Sequence, residues 1–438
     1  MSTSPLQAYR GSIVHALRDP GCGDDDALEI LPDGILCVSG GKVRELGPAD
    51  DVLRRLPSDA TVVDHTGKLI VPGFVDTHIH YPQVDVIASY GAQLLDWLNN
   101  YTFPAEARFK DEAVARGAAS FFLDELLRNG TTTALVFATV HPQSVDAIFE
   151  GARARGMRLI AGKVLMDRNC PEDLRDTAES GYRDSKALIE KWHGVERLSY
   201  AITPRFAVTS SDEQLIAAGR LAAEHPGVFV QTHLAENVDE VAWVRKLFPA
   251  RRSYLDVYDH FGLVRERSVY AHCIHVDDTD RRRMGEAGAA AAFCPTSNLF
   301  LGSGLYDLAA ADAHRVRTGI GTDVGGGTSY NIPRTLGEAY KVLQLRGQTL
   351  TPRRAFYLAT LGGAHSLYMD DTIGNFESGK EADFVVIDPH ATPLTARRMS
   401  KSRDVVEKLF ALTMLGDDRN IHAVYIAGDA STVPLRGG

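Results

Sequence analysis

The sequence predicts an α/β fold. It is a (β/α)8 barrel of the TIM type, with a small β-sandwich domain built from both termini. Three observations predict this. Short strand-like apolar runs alternate with helical patterns from about residue 70 to residue 372. There are eight such runs, the number that closes this kind of barrel. The two ends of the chain share a different texture, short strands broken by turns. The expected division is 1–70 plus 373–438 for the composite β-sandwich domain and 71–372 for the barrel.

Taken in order, GILCVSGGKVRELG (34–47) places two apolar runs around Gly40-Gly41, a hairpin signal. TVVDHTGKLIVPG (61–73) continues in that style, and ADFVVID (382–388) and HAVYIAGD (422–429) repeat it at the far end. The barrel strands are GFVDTH (73–78), TTALVFA (132–138), RLIAGKV (158–164) and LSYAIT (198–203), then VFVQTH (228–233), SVYAH (268–272), AAAAF (289–293) and RTGIGT (317–322). Their content of Val, Ile, Ala and Phe suits strands covered on both faces. DEAVARGAASFFLDELLRNG (111–130) repeats apolar residues at Ala115, Ala118, Phe122 and Leu126. Gly130 stands where a helix C-terminal cap belongs.

Composition removes several function classes. With 44% hydrophobic and 24% charged residues, the chain is not disordered, collagen-like or a coiled coil. The net charge of −10 and the lack of a basic stripe argue against nucleic-acid polymers as partners. The cysteines (Cys22, Cys37, Cys170, Cys273, Cys294) are odd in number and never spaced C-x-x-C. That argues against a disulfide scaffold, a zinc ribbon or a thioredoxin-like site. No segment has the ~18 consecutive apolar residues of a membrane span. MSTSPLQAYRGSIVHALRDP lacks the basic-then-apolar pattern of a secretory signal, so a cytoplasmic protein with no membrane partner is expected. Histidine stands out, at fifteen residues, and their placement decides their meaning.

In such barrels the active site lies at the C-terminal ends of the strands. Strand 1 ends in His78-Ile79-His80, and residues two apart on a strand share a face. Strand 5 ends in His233, strand 6 in His272, and strand 8 runs into Asp323. Together these metal-compatible side chains point to one metal at the barrel mouth. Imidazoles and a carboxylate without a thiolate suit zinc, with iron as runner-up. A second metal would need a bridging ligand, usually a carboxylated lysine ending strand 4. That position reads Ile202-Thr203-Pro204-Arg205, so one metal per chain is expected. Glu236 follows His233 by three residues and suits proton transfer beside a metal, although an acid at a helix N-terminus would look the same. Arg205-Phe206 offers a planar fork of donors and a stacking face, or simply a surface Arg and a core Phe. His141, His275 and His365 are taken as structural or solvated. Cys294-Pro295 lacks the second cysteine and the upstream H-x-E of cytidine-type deaminases. Gly325-Gly326-Gly327 lacks a phosphate-loop frame and is expected to let the chain turn tightly.

PGFVDTHIH (72–80), THLAEN (232–237), SVYAHC (268–273), GIGTDVGGG (319–327) and IGNFESGKEADFVVID (373–388) resemble the amidohydrolase superfamily. Within it, LLDWLNNYTFPAEARF (94–109), NGTTTALVFATVH (129–141), ITPRFAVT (202–209) and FCPTSNLFLGSG (293–304) are similar to the guanine deaminases. The resemblance implies zinc-dependent hydrolysis of guanine at C2 to xanthine and ammonia, a step of purine catabolism. It implies His78, His80, His233 and Asp323 as metal ligands. His272 would hold the water or the leaving amine, Glu236 would protonate purine N3, and Asp323 would orient the nucleophile. Gln83, Arg205 and Phe206 would hold guanine, with His233, Glu236 and Asp323 also touching it. A loop over residues 96–105, carrying Trp97, would close the pocket. The resemblance also implies a homodimer. The competing expectations are another heterocycle deaminase or a triazine hydrolase on the same fold, an adenosine-type deaminase, and a catalytically dead barrel kept for assembly.

Overall fold

The first four strands are β1 (Gln7–Ala16), β2 (Leu28–Ser39), β3 (Lys42–Pro48) and β4 (Thr61–Pro72). The computed structural model describes residues 5–21, 23–91 and 93–434, so Cys22 and the outermost four residues at each end lie outside the described residues. β2 and β3 form the expected hairpin. Gly40 and Gly41 sit at φ 60° and 72°, the left-handed region that a tight two-residue turn demands and glycine enters freely.

The next strands make the barrel. They are β5 (Phe74–His80), β6 (Thr131–Phe137), β7 (Arg158–Gly162), a short β8 (Val164–Leu165), β9 (Leu198–Pro204), β10 (Phe229–Leu234), β11 (Ser268–His272), β12 (Ala290–Phe293) and β13 (Arg317–Ile320). Every one of the eight expected runs is a strand, and all pair in parallel in the order β5-β6-β7-β9-β10-β11-β12-β13. The third run breaks at Lys163, whose buried ammonium turns to Val164 O and to the Asp176 carboxylate. The ring is drawn together past the end of β13. There Asp323 N donates to His78 O and His80 N donates to Val324 O, both at 2.9 Å. Every residue of β5 and β6 is buried, the apolar ones and the polar ones alike, among them Asp76, His78 and His80.

The helix expected over 111–130 spans Glu112–Arg128. Asp111 caps its N-terminus by accepting from Ala113 N, and Gly130 follows at φ 79°. Ala115, Phe122 and Leu126 face the core; Ala118 is only half-buried.

The chain then returns to the first sheet with β14 (Phe384–Ile387), β15 (Ile421–Ile426) and β16 (Asp429–Ala430). Both ends thus build one seven-stranded sheet, ordered β16-β15-β14-β4-β1-β2-β3. The β1–β4 pair is parallel and the others are antiparallel. Between β14 and β15 the chain visits the barrel again, where the helix Val405–Leu415 packs on Ile332–Leu345 and Pro352–Ala359. No helix among the described residues is long and apolar enough to cross a membrane.

A cluster of charges joins the sheet to the end of the barrel away from the expected site. Arg158 holds Glu381 with two bonds of 2.7 and 3.1 Å, and Arg197 reaches Glu381 at 2.6 Å and also Asp383. Their side chains are 13–15% exposed, except that of Asp383, which is more deeply buried. Arg197→Ala would strand Asp383 without its counter-charge. It should cost about 3 kcal/mol in urea unfolding. A loss below about 0.5 kcal/mol would show that the cluster does not couple the two parts.

Candidate active site

The strand ends bring five metal-compatible side chains together. His80 Nε2 lies 3.2 Å from His78 Nε2 and 3.1 Å from His233 Nε2. Asp323 Oδ1 lies 3.1 Å from His78 Nε2 and 3.3 Å from His80 Nε2. His272 Nε2 stands 3.3 Å from Glu236 Oε2 and 3.9 Å from Asp323 Oδ2. Two overlapping sets, His78-His80-His233 and His78-His272-Asp323, each converge within 4.8 Å.

The donor chemistry fits a cation. His233 Nδ1 lies 2.7 Å from Arg205 O, which can only accept, so Nδ1 carries the proton and Nε2 points a lone pair inward. Burial and the neighbouring imidazoles push His80 down to about 3 and His233 well below its ordinary value. Burial opposes ionisation of Asp323, yet His78 and His80 hold its carboxyl well below the usual range. Neutral imidazoles and an ionised carboxylate are the states that bind metal. Tetrahedral ligands at ~2.0–2.1 Å from a zinc ion sit about 3.3 Å from one another. The four separations of 3.1–3.3 Å match that spacing.

The backbone bends sharply to achieve this. His272 and Asp323 have φ 74° and 51°, the left-handed region that costs a non-glycine residue ~1–3 kcal/mol. Around Asp323 the chain turns as tightly as the glycine run suggests: a Cβ on Gly327 would lie 1.8 Å from Thr322 O. Asp76 braces the turn from behind. It accepts from Thr322 Oγ1 at 2.5 Å and from the backbone N–H groups of Thr322 and His78 at 3.1 Å. Burial pushes its carboxyl up to about 7.

A cleft of about 410 Å³, including its open mouth, lies over this cluster. Of the expected site residues, Gln83, Trp97, Arg205, Phe206, Glu236, His80, His233, His272 and Asp323 line it, and His78 lies behind. Leu94, Leu98 and Leu301 add apolar walls. Arg205 is buried and lines the cleft, so it is not a surface residue, whereas Phe206 both belongs to the hydrophobic core and lines the cleft.

Glu236 is fully enclosed. Burial, then the Asp323 charge, raises its carboxyl to about 8. Ser303 Oγ donates to it at 3.0 Å, and His275 Nε2 contacts Ser303 O at 2.9 Å, so His275 stands one residue behind Glu236. Glu240 fixes the backbone here by accepting from Glu236 N at 2.9 Å, while Tyr254 donates to its other oxygen at 2.7 Å. His272 Nδ1 is held by Asn298 Oδ1 at 2.9 Å, and among the described residues its buried Nε2 makes no hydrogen bond, with Glu236 Oε2 the nearby carboxylate oxygen at 3.3 Å. His365 pairs with Asp370, and His141 starts the helix Pro142–Ala154; neither lines the cleft.

One expectation fails in form. Residues 96–105 are not a loop but helical, running through Leu94–Trp97, a π-helical turn Leu98–Thr102 and Phe103–Ala107. Asn99, Asn100 and Pro104 read as breakers. In the structure the helical run passes through a π-helical turn that ends at Thr102, two residues before Pro104. Leu94, Trp97, Leu98 and Phe103 are the buried side. Glu106, Asp76, Glu240, Ser303 and Asn298 were not legible as site residues. The only sign of Glu106 is its place within LLDWLNNYTFPAEARF (94–109).

The family model described as "Amidohydrolase family" matches residues 69–430. A guanine deaminase of Escherichia coli is 54% identical over 425 residues, 97% of each chain. The solved structure of E. coli guanine deaminase superposes with a TM-score of 0.95, covering 97% of this chain and 99% of that one. A guanine deaminase from C. acetobutylicum, solved with guanine in its active site, is 29% identical with a TM-score of 0.88, over 97% of this chain and 100% of that one. The eight-stranded barrel, the converging histidines and these relatives agree, and the chain belongs to the amidohydrolase family and, within it, to the guanine deaminases.

Proposed function

We propose that the chain hydrolyses guanine at C2, releasing ammonia and leaving xanthine, with one zinc ion held by His78, His80, His233 and Asp323. The observation that carries this reading is a single cleft. It sets the donors of Arg205 and Gln83 and the stacking face of Phe206 beside Glu236, His272 and the ligand cluster. A bound zinc ion would supply a nucleophile at neutral pH by bringing the pKa of water toward ~7.

The chain's own groups manage the protons. Glu236, whose carboxyl burial and then the Asp323 charge raise to about 8, gives its proton to purine N3 and makes C2 electrophilic. Asp323 takes a proton from the attacking water, and His272 Nε2 holds that water from the other side. A C–O bond forms and C2 becomes tetrahedral. The new hydroxyl returns a proton to Glu236 as the C2 carbonyl forms. Asp323 gives its proton to the amine, the C–N bond breaks and ammonia leaves. Trp97 and the leucines exclude bulk water from this space.

We read the enzyme as a cytoplasmic homodimer of purine catabolism, on its likeness to the family. We divide it into the barrel, 71–372, and the terminal unit, 1–70 with 373–438. The strand partition supports that division. The test is ammonia release and xanthine formation from guanine, with and without a chelator. Turnover should vanish on chelation and return with zinc. Rates on guanine no faster than on cytosine, adenosine or a triazine would overturn the substrate assignment.

A further inference from the structure

Gln83 and Arg205 are both held by one carboxylate that does not itself line the cleft. Glu106 lies in the helix Phe103–Ala107, and its side chain is wholly buried. Its Oε1 accepts from Gln83 Nε2 at 3.1 Å, and its Oε2 accepts from Arg205 Nη1 at 2.6 Å. The far end of the Gln83 amide is fixed too, because Oε1 accepts from Gly325 N at 3.1 Å. A backbone N–H only donates and a carboxylate only accepts, so these two bonds set which way the amide points. The Phe103 ring, from the same helix, lies 5.2 Å from the Arg205 guanidinium and gives it a second hold.

What remains free on these two side chains is mostly donors. Gln83 keeps one N–H, and a guanidinium has only N–H groups to offer. Both face the cleft. Such an edge accepts a carbonyl oxygen or a ring nitrogen lone pair and leaves an amino group unpaired. We propose that Glu106 is a specificity-determining positioning residue, which selects 6-oxopurines over 6-aminopurines by holding Gln83 and Arg205 as one fixed donor array. This rests on the reading of guanine as substrate. Without the carboxylate, only the single bond from Gly325 N still opposes a turn of the Gln83 oxygen toward a 6-amino group, and Arg205 loses its only counter-charge at bonding distance among the described residues. The helical segment over the cleft thereby takes part in substrate choice as well as in enclosure.

The test compares guanine with 2,6-diaminopurine, which carries the same C2 amine and differs on the 6-edge: an amino group replaces the carbonyl, and N1 presents a lone pair in place of its hydrogen. Glu106→Gln and Glu106→Asp are assayed for kcat and KM on both, with metal content and melting temperature measured alongside. In Glu106→Gln, kcat/KM for guanine should fall about 100-fold, mainly through KM, and that for 2,6-diaminopurine by less than about 10-fold. Glu106→Asp should fall between. Equal losses on both substrates, the signature of a merely structural role, would overturn the proposal. If Glu106→Gln does not fold, an unchanged preference in Glu106→Asp overturns it alone. Calorimetric binding of hypoxanthine and adenine, neither of which has a C2 amine, separates this proposal from the functional reading. A wild-type protein inert toward guanine would sink that reading, while the 6-oxo over 6-amino binding preference and its loss in the variants would still decide the role of Glu106.

Discussion

Asp323→Ala will lose its metal and about 10⁴-fold in kcat/KM for guanine. Two separate functions are lost together. Asp323 Oδ1 contacts both imidazoles of the H-x-H pair, at 3.1 and 3.3 Å, so its removal takes the only carboxylate from the proposed ligand set. Its Oδ2 faces His272, where the attacking water is to be held. Metal content by emission spectroscopy and ammonia release by a coupled assay both read the outcome. A variant that keeps stoichiometric zinc and a tenth of the activity would remove Asp323 from the ligand set. The backbone adds a second readout. At φ 51° alanine keeps the strain and glycine releases it. Asp323→Gly should therefore be as inactive as Asp323→Ala but more stable by about 1 kcal/mol.

Glu236→Gln separates proton transfer from metal binding. The amide is isosteric, and its carbonyl can still accept from Ser303. Glu236 lies outside both ligand sets, so zinc content should match wild type. The lost function is delivery of a proton, and kcat should fall about 10³-fold with little change in KM. Near-normal turnover would remove Glu236 as the shuttle. A sign can be assigned to the pH dependence of the metal-free protein. Burial and Asp323 raise this carboxyl from 4.5 to about 8, so folding favours its protonated form. That contribution is complete below 4.5 and is lost as pH climbs through about 8. The amide has no proton to lose. The melting temperature of Glu236→Gln relative to wild type should therefore rise across that window.

The barrel was legible because its strands are buried on both faces and leave runs rich in Val, Ile, Ala, Leu and Phe, such as TTALVFA. The ligand cluster was legible because strands in this architecture deliver their last residues to one place, so His80, His233 and Asp323 declare themselves by position. Glu106 was not. Its meaning comes from Arg205 and Gln83, brought to it from other elements by the fold, and no periodicity marks such a pairing. Asp76 is hidden in a strand whose other polar residues carry the chemistry. The helical form of 96–105 was masked by Asn and Pro, whose breaking tendency yields to tertiary packing of Leu94, Trp97, Leu98 and Phe103. The return of Val405–Leu415 to the barrel follows from packing that local sequence does not report.

The seven-stranded sheet carries a consequence for synthesis. β4 lies between β1 and β14, and its register sets Pro72 against Phe384, with most of the chain between them. A ribosome delivers β4 early and β14 late. For that interval the apolar edge of β4, with Leu69, Ile70 and Val71, has no partner. An unpaired strand edge is a template for wrong pairing. The nascent protein therefore has an exposed seam whose protection depends on translation speed and chaperone supply rather than on the stability of the finished fold.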